Sequence, residues 1–443
     1  MGWVKPRKIA FSTLQRIEDP GDFAEHRLEA EPGFLALRPD DRRLAQELIF
    51  GILRHRATLD WLTNRRTAGR VQRPAIRILL HLGLYQLLFL DRIPPHAAVH
   101  ETVELARESG HGPESGFINA VLRTTLRDLP GTRAALVELR KTDPATATSH
   151  PAWLVDRWLA RHGLTDTDRL LDHNNTPPPT FARVNTLTTN AEKLVQTWAT
   201  EGVTAVPREF SWANAELVFE LQRHPSLASL GSFQQGDFYI QDPSTLLAVG
   251  LLDPQPGERI LDACSAPGGK TTFIAQTLQN RGLIVAEDTN PARLQLVSEN
   301  VARLGTTCVE VRATDAPRPP GEWFDRVLVD APCSNTGVLR RRIELRWRLK
   351  SAELLRLRDQ QLQILDANAL RVRPGGVLIY STCSLEPEEN TGVITTWLAG
   401  QSEFILESQS ELTPWKDGVD GAFVAKMRHQ GKFSRVPSAS LRS

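Results

Sequence analysis

One stretch of this chain constrains its fold more than any other: a strand that breaks into glycines and then becomes a helix. Residues 260–261 have the apolar character of a buried strand end, and Pro-Gly-Gly at 267–269 precedes the helical pattern of residues 272–278. A second apolar strand, 283–286, follows and leads to Asp288. Glycines let a backbone approach a ligand, and an acid ending the second strand can accept hydrogen bonds from ribose hydroxyls. The stretch therefore predicts a site for a nucleotide-shaped ligand.

The glycine spacing argues against two common nucleotide-binding fingerprints. It does not match G-x-G-x-x-G, which disfavours an NAD-linked oxidoreductase. Lys270 follows the glycines, but the order G-x-x-x-x-G-K-[ST] of a phosphate-cradling loop is missing. Taken alone, the loop fits an ordinary glycine-containing turn equally well. The residues downstream decide between these interpretations.

Downstream of this loop, strand and helix patterns alternate. Apolar strands are predicted at 309–311, 326–330 and 376–381, with a long helix at 354–370 before the last of them. This alternation is typical of an α/β fold with a mostly parallel, Rossmann-like sheet. Ligands in such sheets bind beyond the carboxyl ends of the strands. The polar residues at those ends, which we expect to line one crevice, are Asp262, Asp288, Asp315, Asp330 and Cys383.

Composition adds limits rather than a function. The chain has 443 residues, 41% of them hydrophobic and 24% charged, which is ordinary for a globular protein of two or three domains. Its formal net charge of +1 means that any basic surface must be local. The four cysteines, which include Cys264 and Cys308, are too widely spaced for a disulfide scaffold or a zinc cluster. With no secretory or membrane-length apolar run, we expect a cytoplasmic protein without a bound metal, and a monomer.

Changes in periodicity, and the prolines and glycines between periodic segments, indicate several domains. Residues 1–145 have helical periodicity throughout, and the apolar run 77–88 predicts the central helix of an all-α bundle. We expect a break in the helices that runs from Asp-Leu-Pro-Gly at 128–131 to Pro144 and Pro151. Residues 146–235 read as a linker helix, with a short helix at 154–162, followed by a small α+β unit. The α/β domain would cover 236–430, and the basic tail 431–443 would be disordered.

A basic segment lies between the last two candidate cysteines. Residues 340–350 hold six cations around Trp347. Such a cluster suits the gripping of nucleic-acid phosphates and the support of a displaced base. The simpler interpretation is a solvated helix face.

Two cysteines at neighbouring strand ends, beside one acid, suggest covalent chemistry. The acid is Asp330, Cys333 follows it, and Cys383 follows the next strand. Two small buried thiols would be the ordinary interpretation. A thiolate that adds to carbon 6 of cytosine, however, makes carbon 5 nucleophilic toward a methyl donor, and a second group must then remove the carbon-5 proton. The residues alone leave open which thiol attacks.

Three motifs together resemble a known family. They are A-P-G-G-K-T-T at 266–272, D-A-P-C-S-x-T-G-V at 330–338 and T-C-S-x-x-P-E-E-N at 382–390. They are similar to those of RNA 5-methylcytosine methyltransferases that use S-adenosylmethionine. Strings such as G-L-Y-Q-L at 83–87 and F-I-N-A-V-L-R at 117–123 resemble a NusB-like RNA-binding domain, and R-V-N-T at 183–186 resembles the RNA-contacting subdomain of these enzymes. The whole pattern resembles the RsmB (Sun) family of small-subunit ribosomal RNA methyltransferases.

The resemblance implies roles for individual residues. Cys383 would be the nucleophile, and Cys333 would assist proton removal and release. Asp330 would lie between the cofactor and the cytosine and hydrogen-bond the base. Asp288 would take the ribose hydroxyls of S-adenosylmethionine, and Asp315 would approach its adenine. The residues implied to wrap the cofactor are Cys264, Ser265, Ala266, Pro267, Gly268, Gly269 and Lys270.

The expected function is methylation of carbon 5 of a cytosine in small-subunit (16S) ribosomal RNA, with the base flipped out of its helix. The same chemistry on transfer RNA is the alternative within the enzyme class. An RNA-binding assembly factor with an inert methyltransferase domain is the alternative outside it. The presence of Cys333, Cys383, Asp330 and the glycine loop argues against an inert domain.

Overall fold

The computed structural model describes residues 5–17, 24–317 and 321–431. The described chain divides into two compact units. Residues up to 177, together with 339–349, form what we call the helical unit, and residues 178–338 with 350 onward form the sheet unit. All but the first residue of the predicted tail 431–443 lies outside the described residues.

The N-terminal part of the helical unit is built from helices alone. They are α1 (Pro6–Arg16), α2 (Ala24–Glu29), α3 (Pro39–Arg54), α4 (Arg56–Arg66), α5 (Pro74–Phe89), α6 (Pro95–Glu108), α7 (Ser115–Arg127), α8 (Leu129–Thr142), α9 (Pro144–Ala147) and α10 (Ala152–Asn175). Helix α5 is buried on nearly every side from Ile76 to Leu87. An all-round apolar helix can be stable only inside a bundle, as its sequence pattern predicts. The prediction of a helical N-terminal domain is confirmed.

One local prediction differs from the structure in this unit. The break expected from 128–131 to Pro144 and Pro151 is largely filled by helix, because α8 begins at Leu129 with Pro130 in its first turn and α9 begins at Pro144. A proline there costs the helix little, since its missing N–H would have had no partner inside the helix. The helix expected at 154–162 is present as the first half of α10, which Gly163 interrupts with a non-helical backbone at φ 75°.

A small antiparallel sheet opens the sheet unit. Its elements are β1 (Thr180–Val184), α11 (Ala191–Thr200), β2 (Thr204–Pro207), β3 (Val218–Arg223), α12 (Gly231–Gln234) and β4 (Phe238–Ile240), with strand order β2-β3-β1-β4. Trp198 of α11 packs edge-on against Phe219 and Phe238 of the sheet. This arrangement is the predicted small α+β subdomain.

A seven-stranded sheet forms the rest of the unit. In chain order, the elements from Leu246 onward are α13 (Leu246–Leu252), β5 (Arg259–Asp262), α14 (Gly269–Thr277), β6 (Leu283–Asp288), α15 (Pro291–Arg303), β7 (Val309–Ala313), β8 (Phe324–Asp330), α16 (Leu345–Arg348), α17 (Ser351–Ala369), β9 (Val372–Thr382), α18 (Thr391–Ala399), β10 (Phe404–Leu412), α19 (Pro414–Asp417) and β11 (Ala422–His429). Helix α16 belongs to the helical unit, and the other elements belong to the sheet unit. The strand order is β10-β11-β9-β8-β5-β6-β7. The five neighbouring strands β9, β8, β5, β6 and β7 are parallel, and β11 and β10 extend the sheet beyond β9 as antiparallel strands.

The register of the parallel strands brings their polar ends to one edge. Asp262 pairs with Ala286 of β6, and Asp330 pairs with Ser381 of β9. Two buried apolar clusters, built on strand residues such as Val329 and Leu328, hold the central strands between helices. The mostly parallel, helix-covered sheet confirms the predicted Rossmann-like fold.

Candidate active site

The glycine loop joins the end of β5 to the start of α14. Gly268 adopts φ 103°, which an L side chain rarely takes, and its carbonyl accepts a hydrogen bond of 2.8 Å from Thr272 Oγ1. A Cβ on Gly269 would lie 2.9 Å from a ring carbon of Tyr239. The loop is therefore held between Thr272 of its own helix α14 and the ring of Tyr239.

The acid at the end of β6 is tied to this loop. Asp288 accepts hydrogen bonds from the backbone N–H of Ala266 at 3.3 Å and from that of Asn290 at 3.0 Å. Arg293 donates to the carbonyl oxygen of Ala266 at 2.7 Å, which closes the same corner. Asp315 lies in the turn after β7 and is exposed.

Two buried polar atoms at the loop have no hydrogen-bond partner in the described structure: Asp262 Oδ1 and Ser265 Oγ. Burial raises the pKa of Asp262 to about 7, although Thr271 donates to its other oxygen at 2.7 Å. Burial likewise raises the pKa of the Cys264 thiol. Buried polar atoms are normally satisfied, so the loop fits a ligand that brings polar groups of its own. The residues present are compatible with the expected cofactor.

The two candidate cysteines meet. Cys333 Sγ and Cys383 Sγ are 3.3 Å apart, and both side chains are partly buried. The hydrogen bond to Cys383, together with burial, raises the pKa of Cys333 well above its ordinary value. Cys383 Sγ also lies 3.3 Å from Asn335 Oδ1, to which its S–H can donate. Gly337 N–H donates to the carbonyl of Cys383 at 2.9 Å, so the two cysteine loops are joined by backbone as well.

Asp330 connects the strand end to the glycine loop. Lys270 Nζ lies 2.6 Å from one of its carboxylate oxygens, and Ser381 Oγ donates to the other at 3.0 Å. Burial alone would lower the pKa of Lys270, but the charge of Asp330, its hydrogen bond to Lys270 and the other acidic groups nearby together raise that pKa. Lys270 is therefore an ammonium group that forms a charge-assisted hydrogen bond with Asp330.

Sequence reasoning did not assign a role to Glu389, which lies in the quoted P-E-E-N string. Its fully buried carboxylate accepts hydrogen bonds from the Ser334 N–H at 2.8 Å, from Ser384 Oγ at 2.5 Å and from Gln361 Nε2 at 3.0 Å. Ser334 Oγ is a further donor. Each serine directly follows one of the two cysteines, so Glu389 holds both cysteine loops. The signal in the sequence was an acid close behind the second thiol.

The basic segment differs from the prediction at two of its six cations. Arg346 is fully buried within the helical unit, where it donates to Asn175 Oδ1 at 2.7 Å and to the carbonyl of Asn174. Arg340 is also buried, at 4% exposure. These two arginines therefore do not form an exposed phosphate grip, because burial has removed their side chains from solvent. Trp347 is 39% exposed.

Comparison with known proteins agrees with this architecture. Residues 249–428 match the family "16S rRNA methyltransferase RsmB/F", residues 4–127 match the NusB family, and residues 150–215 match the RsmF/B-like ferredoxin-like domain. The chain is 32% identical to the probable ribosomal RNA small subunit methyltransferase B of Bacillus subtilis (strain 168), over 96% of this chain and 99% of the relative. This chain belongs to the ribosomal RNA small subunit methyltransferase B (RsmB) family.

Other relatives extend the same picture. The ribosomal RNA small subunit methyltransferase B of Erwinia tasmaniensis is 35% identical, over 96% of this chain and 98% of the relative. The crystal structure of PH0851 matches 96% of this chain and 99% of its own, with a TM-score of 0.77 and 25% identity. The predicted family and fold are confirmed, and the chain is an RNA methyltransferase by family, which implies a methyl donor of the S-adenosylmethionine type. In the described ranges, no helix combines the length and apolarity needed to span a bilayer.

Proposed function

We propose that this RsmB-family protein methylates carbon 5 of a cytosine in small-subunit ribosomal RNA, through a covalent bond between Cys383 and carbon 6. The 3.3 Å approach of the Cys333 and Cys383 sulfurs carries the proposal. One sulfur is needed to add to the base and a second group is needed to remove a proton from it. The Asp330–Lys270 ion pair supplies a polar group where the base would have to be oriented.

The proposed division of labour rests on the thiol pair and on the family resemblance. The two sulfurs are close enough to share one proton, so the S–H of one cysteine can stabilise a thiolate on the other. This contact is symmetric and does not rank the two thiols. The resemblance of the 382–390 motif to the family assigns the role of nucleophile to Cys383.

In the proposed reaction, the Cys383 thiolate adds to carbon 6 while Asp330 orients the polar edge of the base. Bound S-adenosylmethionine would supply the electrophilic methyl group that carbon 5 takes up. Once Cys383 is a thioether, it carries no negative charge that would oppose ionisation of Cys333. Cys333 then loses its S–H proton to solvent, and the resulting thiolate can remove the carbon-5 proton. The carbon–sulfur bond then breaks, and Cys383 leaves as a thiolate.

Within this proposal, the glycine loop and its acids hold the cofactor. The backbone from Cys264 to Lys270 would wrap it, Asp288 would accept hydrogen bonds from the ribose, and Asp315 would lie near the adenine. The unpartnered Asp262 Oδ1 and Ser265 Oγ support this assignment, because a bound polar ligand would give them partners. The helical domain, expected at 1–145, would hold the RNA.

Substitution of each cysteine tests the assignment of the two thiols. Cys383→Ala is expected to abolish methyl transfer to unmethylated small-subunit ribosomal RNA, because no nucleophile remains. Cys333→Ala is expected to accumulate a protein–RNA adduct that survives a denaturing gel, because addition proceeds and release stalls. Cys308→Ala, a buried cysteine in the core of the sheet unit, is the matched control and should keep full turnover. An active Cys383→Ala variant would contradict the nucleophile assignment.

The substrate is tested by mapping 5-methylcytosine by mass spectrometry after incubation with S-adenosylmethionine. We expect one modified cytosine in small-subunit ribosomal RNA and none in transfer RNA added in parallel. Methylation of transfer RNA alone would keep the chemistry and overturn the substrate. Cofactor binding without methylation of either RNA would favour an inert assembly factor.

A further inference from the structure

Arg183 is a cation of the small antiparallel sheet that is buried in the sheet unit. It belongs to the R-V-N-T string, lies in β1 and is 1% exposed. Its guanidinium donates to the carbonyl of Gly269 at 2.8 Å, to Gln241 Oε1 at 2.9 Å and to Thr272 Oγ1 at 3.1 Å. Two of these three acceptors are in the first turn of α14, directly after the glycine loop.

The surroundings of this guanidinium are unusual for an arginine. Its three acceptors are neutral, and it stacks over Phe273 at 4.9 Å and Tyr239 at 5.4 Å from the ring centroids. Burial lowers the pKa of Arg183 to about 9. Burying a charge without a carboxylate opposite it is costly, so a neutral residue would satisfy packing alone more easily. With 1% exposure, the side chain is also not available to contact RNA.

We infer that Arg183 is a positioning residue for the cofactor site, and that the small antiparallel sheet is thereby a structural part of that site. The inference rests on the proposed function in one respect, namely that the glycine loop binds S-adenosylmethionine. Arg183 fixes the Gly269 carbonyl, and the next residue, Lys270, reaches Asp330. The position of this guanidinium thus helps to fix the backbone at Gly269, from which the side chain of Lys270 extends toward Asp330.

Neighbouring contacts leave little freedom for the loop to move independently. A Cβ on Gly269 would lie 2.9 Å from Tyr239 Cε1 and 3.2 Å from Gln241 Oε1, so the loop rests directly on the residues around Arg183. Gln276 of α14 donates to the carbonyl of Val184 at 3.0 Å. The end of β1 therefore holds α14 at two successive residues.

Cofactor binding to the full-length protein, measured by calorimetry without RNA, tests this inference. Arg183→Met should raise the Kd for S-adenosylmethionine by about tenfold or more, because the Gly269 carbonyl and Thr272 lose their donor. Arg183→Lys should give a smaller rise, since one ammonium group can reach some of the acceptors. Arg223→Met is the matched control, an exposed arginine at the end of β3 in the same small sheet, and should bind as the wild type does.

Steady-state kinetics separate positioning from a general loss of structure. Arg183→Met should raise the KM for S-adenosylmethionine and leave the KM for RNA unchanged, whereas partial unfolding would change both. If that variant does not fold, Gln241→Met removes one acceptor while keeping the arginine, and should raise the Kd about threefold. Wild-type affinity in the folded Arg183 or Gln241 variant would overturn the inference. A wild-type protein that binds no S-adenosylmethionine would overturn the proposed cofactor as well, and so the two failures are distinguishable.

Discussion

At the scale of single residues, Asp262 has the most consequential electrostatics in the glycine loop. It is the last residue of β5, is fully buried, and has one oxygen without a partner. Burial raises its pKa to about 7 from an ordinary 3.8. An acid whose folded-state pKa is raised binds its proton more tightly in the folded state, so it favours folding at low pH and opposes it once ionised.

This shift predicts a pH dependence that one substitution should remove. Asp262 stabilises the fold below about pH 4, and that contribution is lost as the pH rises to about 7. The shift from 3.8 to about 7 corresponds to a loss of about 4 kcal/mol. Between pH 4 and pH 7, urea unfolding should therefore show the stability of the wild type falling by about this amount relative to Asp262→Asn. Glu299→Gln, an exposed carboxyl on α15, is the control and should show no such trend. A constant difference between wild type and Asp262→Asn would contradict the prediction.

At the scale of elements, the two cysteine loops depend on one buried carboxylate. Ser334 follows β8 and Ser384 follows β9, and both donate to Glu389. Tyr380 of β9 adds a hydrogen bond of 2.6 Å to the carbonyl of Glu389. The separation of the two thiols is thus a property of this hydrogen-bonded corner rather than of either loop alone.

Truncation of that carboxylate should disturb both stability and the thiol pair. Glu389→Ala leaves several buried donors without an acceptor, and each unsatisfied buried group costs about 1–3 kcal/mol. We expect a loss of at least about 3 kcal/mol in urea unfolding, with a fall in kcat that exceeds any change in KM. Glu389→Gln keeps an acceptor oxygen and should lose less. Glu388→Ala is the neighbouring comparison, and an equal loss there would show that Glu389 has no special role.

At the scale of the whole molecule, the helical unit is built from two separate segments of the chain. Residues 339–349 leave the sheet unit directly after the 330–338 motif, which contains Cys333, and belong to the helical unit. There Arg346 donates to Asn175 and to carbonyl oxygens of α3 and α10, and Glu344 accepts a hydrogen bond of 2.7 Å from the Ala24 N–H. Distant parts of the sequence therefore build one unit, and the buried Arg346 joins them by hydrogen bonds.

Loss of these hydrogen bonds should loosen the packing of residues 339–349 in the helical unit. Arg346→Met leaves the carbonyl of Asn174 and the side chain of Asn175 without their donor, and removal of a buried charged donor typically costs about 3 kcal/mol. Limited digestion with chymotrypsin should then cut near Trp347 faster than in the wild type. Lys350→Met, an exposed cation at the end of the same basic segment, should leave the rate unchanged. Equal digestion rates for Arg346→Met and the wild type would contradict the structural role of Arg346.

Local patterns in the sequence were sufficient for much of the fold. Apolar runs located β5, β6, β8 and β9, and the glycines located the turn into α14, because strand and helix periodicity are properties of neighbouring residues. In a parallel sheet those strand ends must share an edge, so Asp262, Asp288 and Asp330 could be assigned to one crevice without coordinates. The miss at 128–131 was also local: a proline favours a turn and a helix start alike, and packing decides between them.

The sequence by itself determined the family, the chain order of the parallel strands, and the residue types at the ends of those strands. The tertiary structure decided which of those side chains touch: Cys333 with Cys383, Lys270 with Asp330, and Glu389 with two serines. It also decided that Arg346 and Arg183 are buried, although arginine is usually exposed. The physical reason is that burial and hydrogen bonding depend on residues far apart in the chain, and the energy of a charge depends on what surrounds it rather than on its neighbours in sequence.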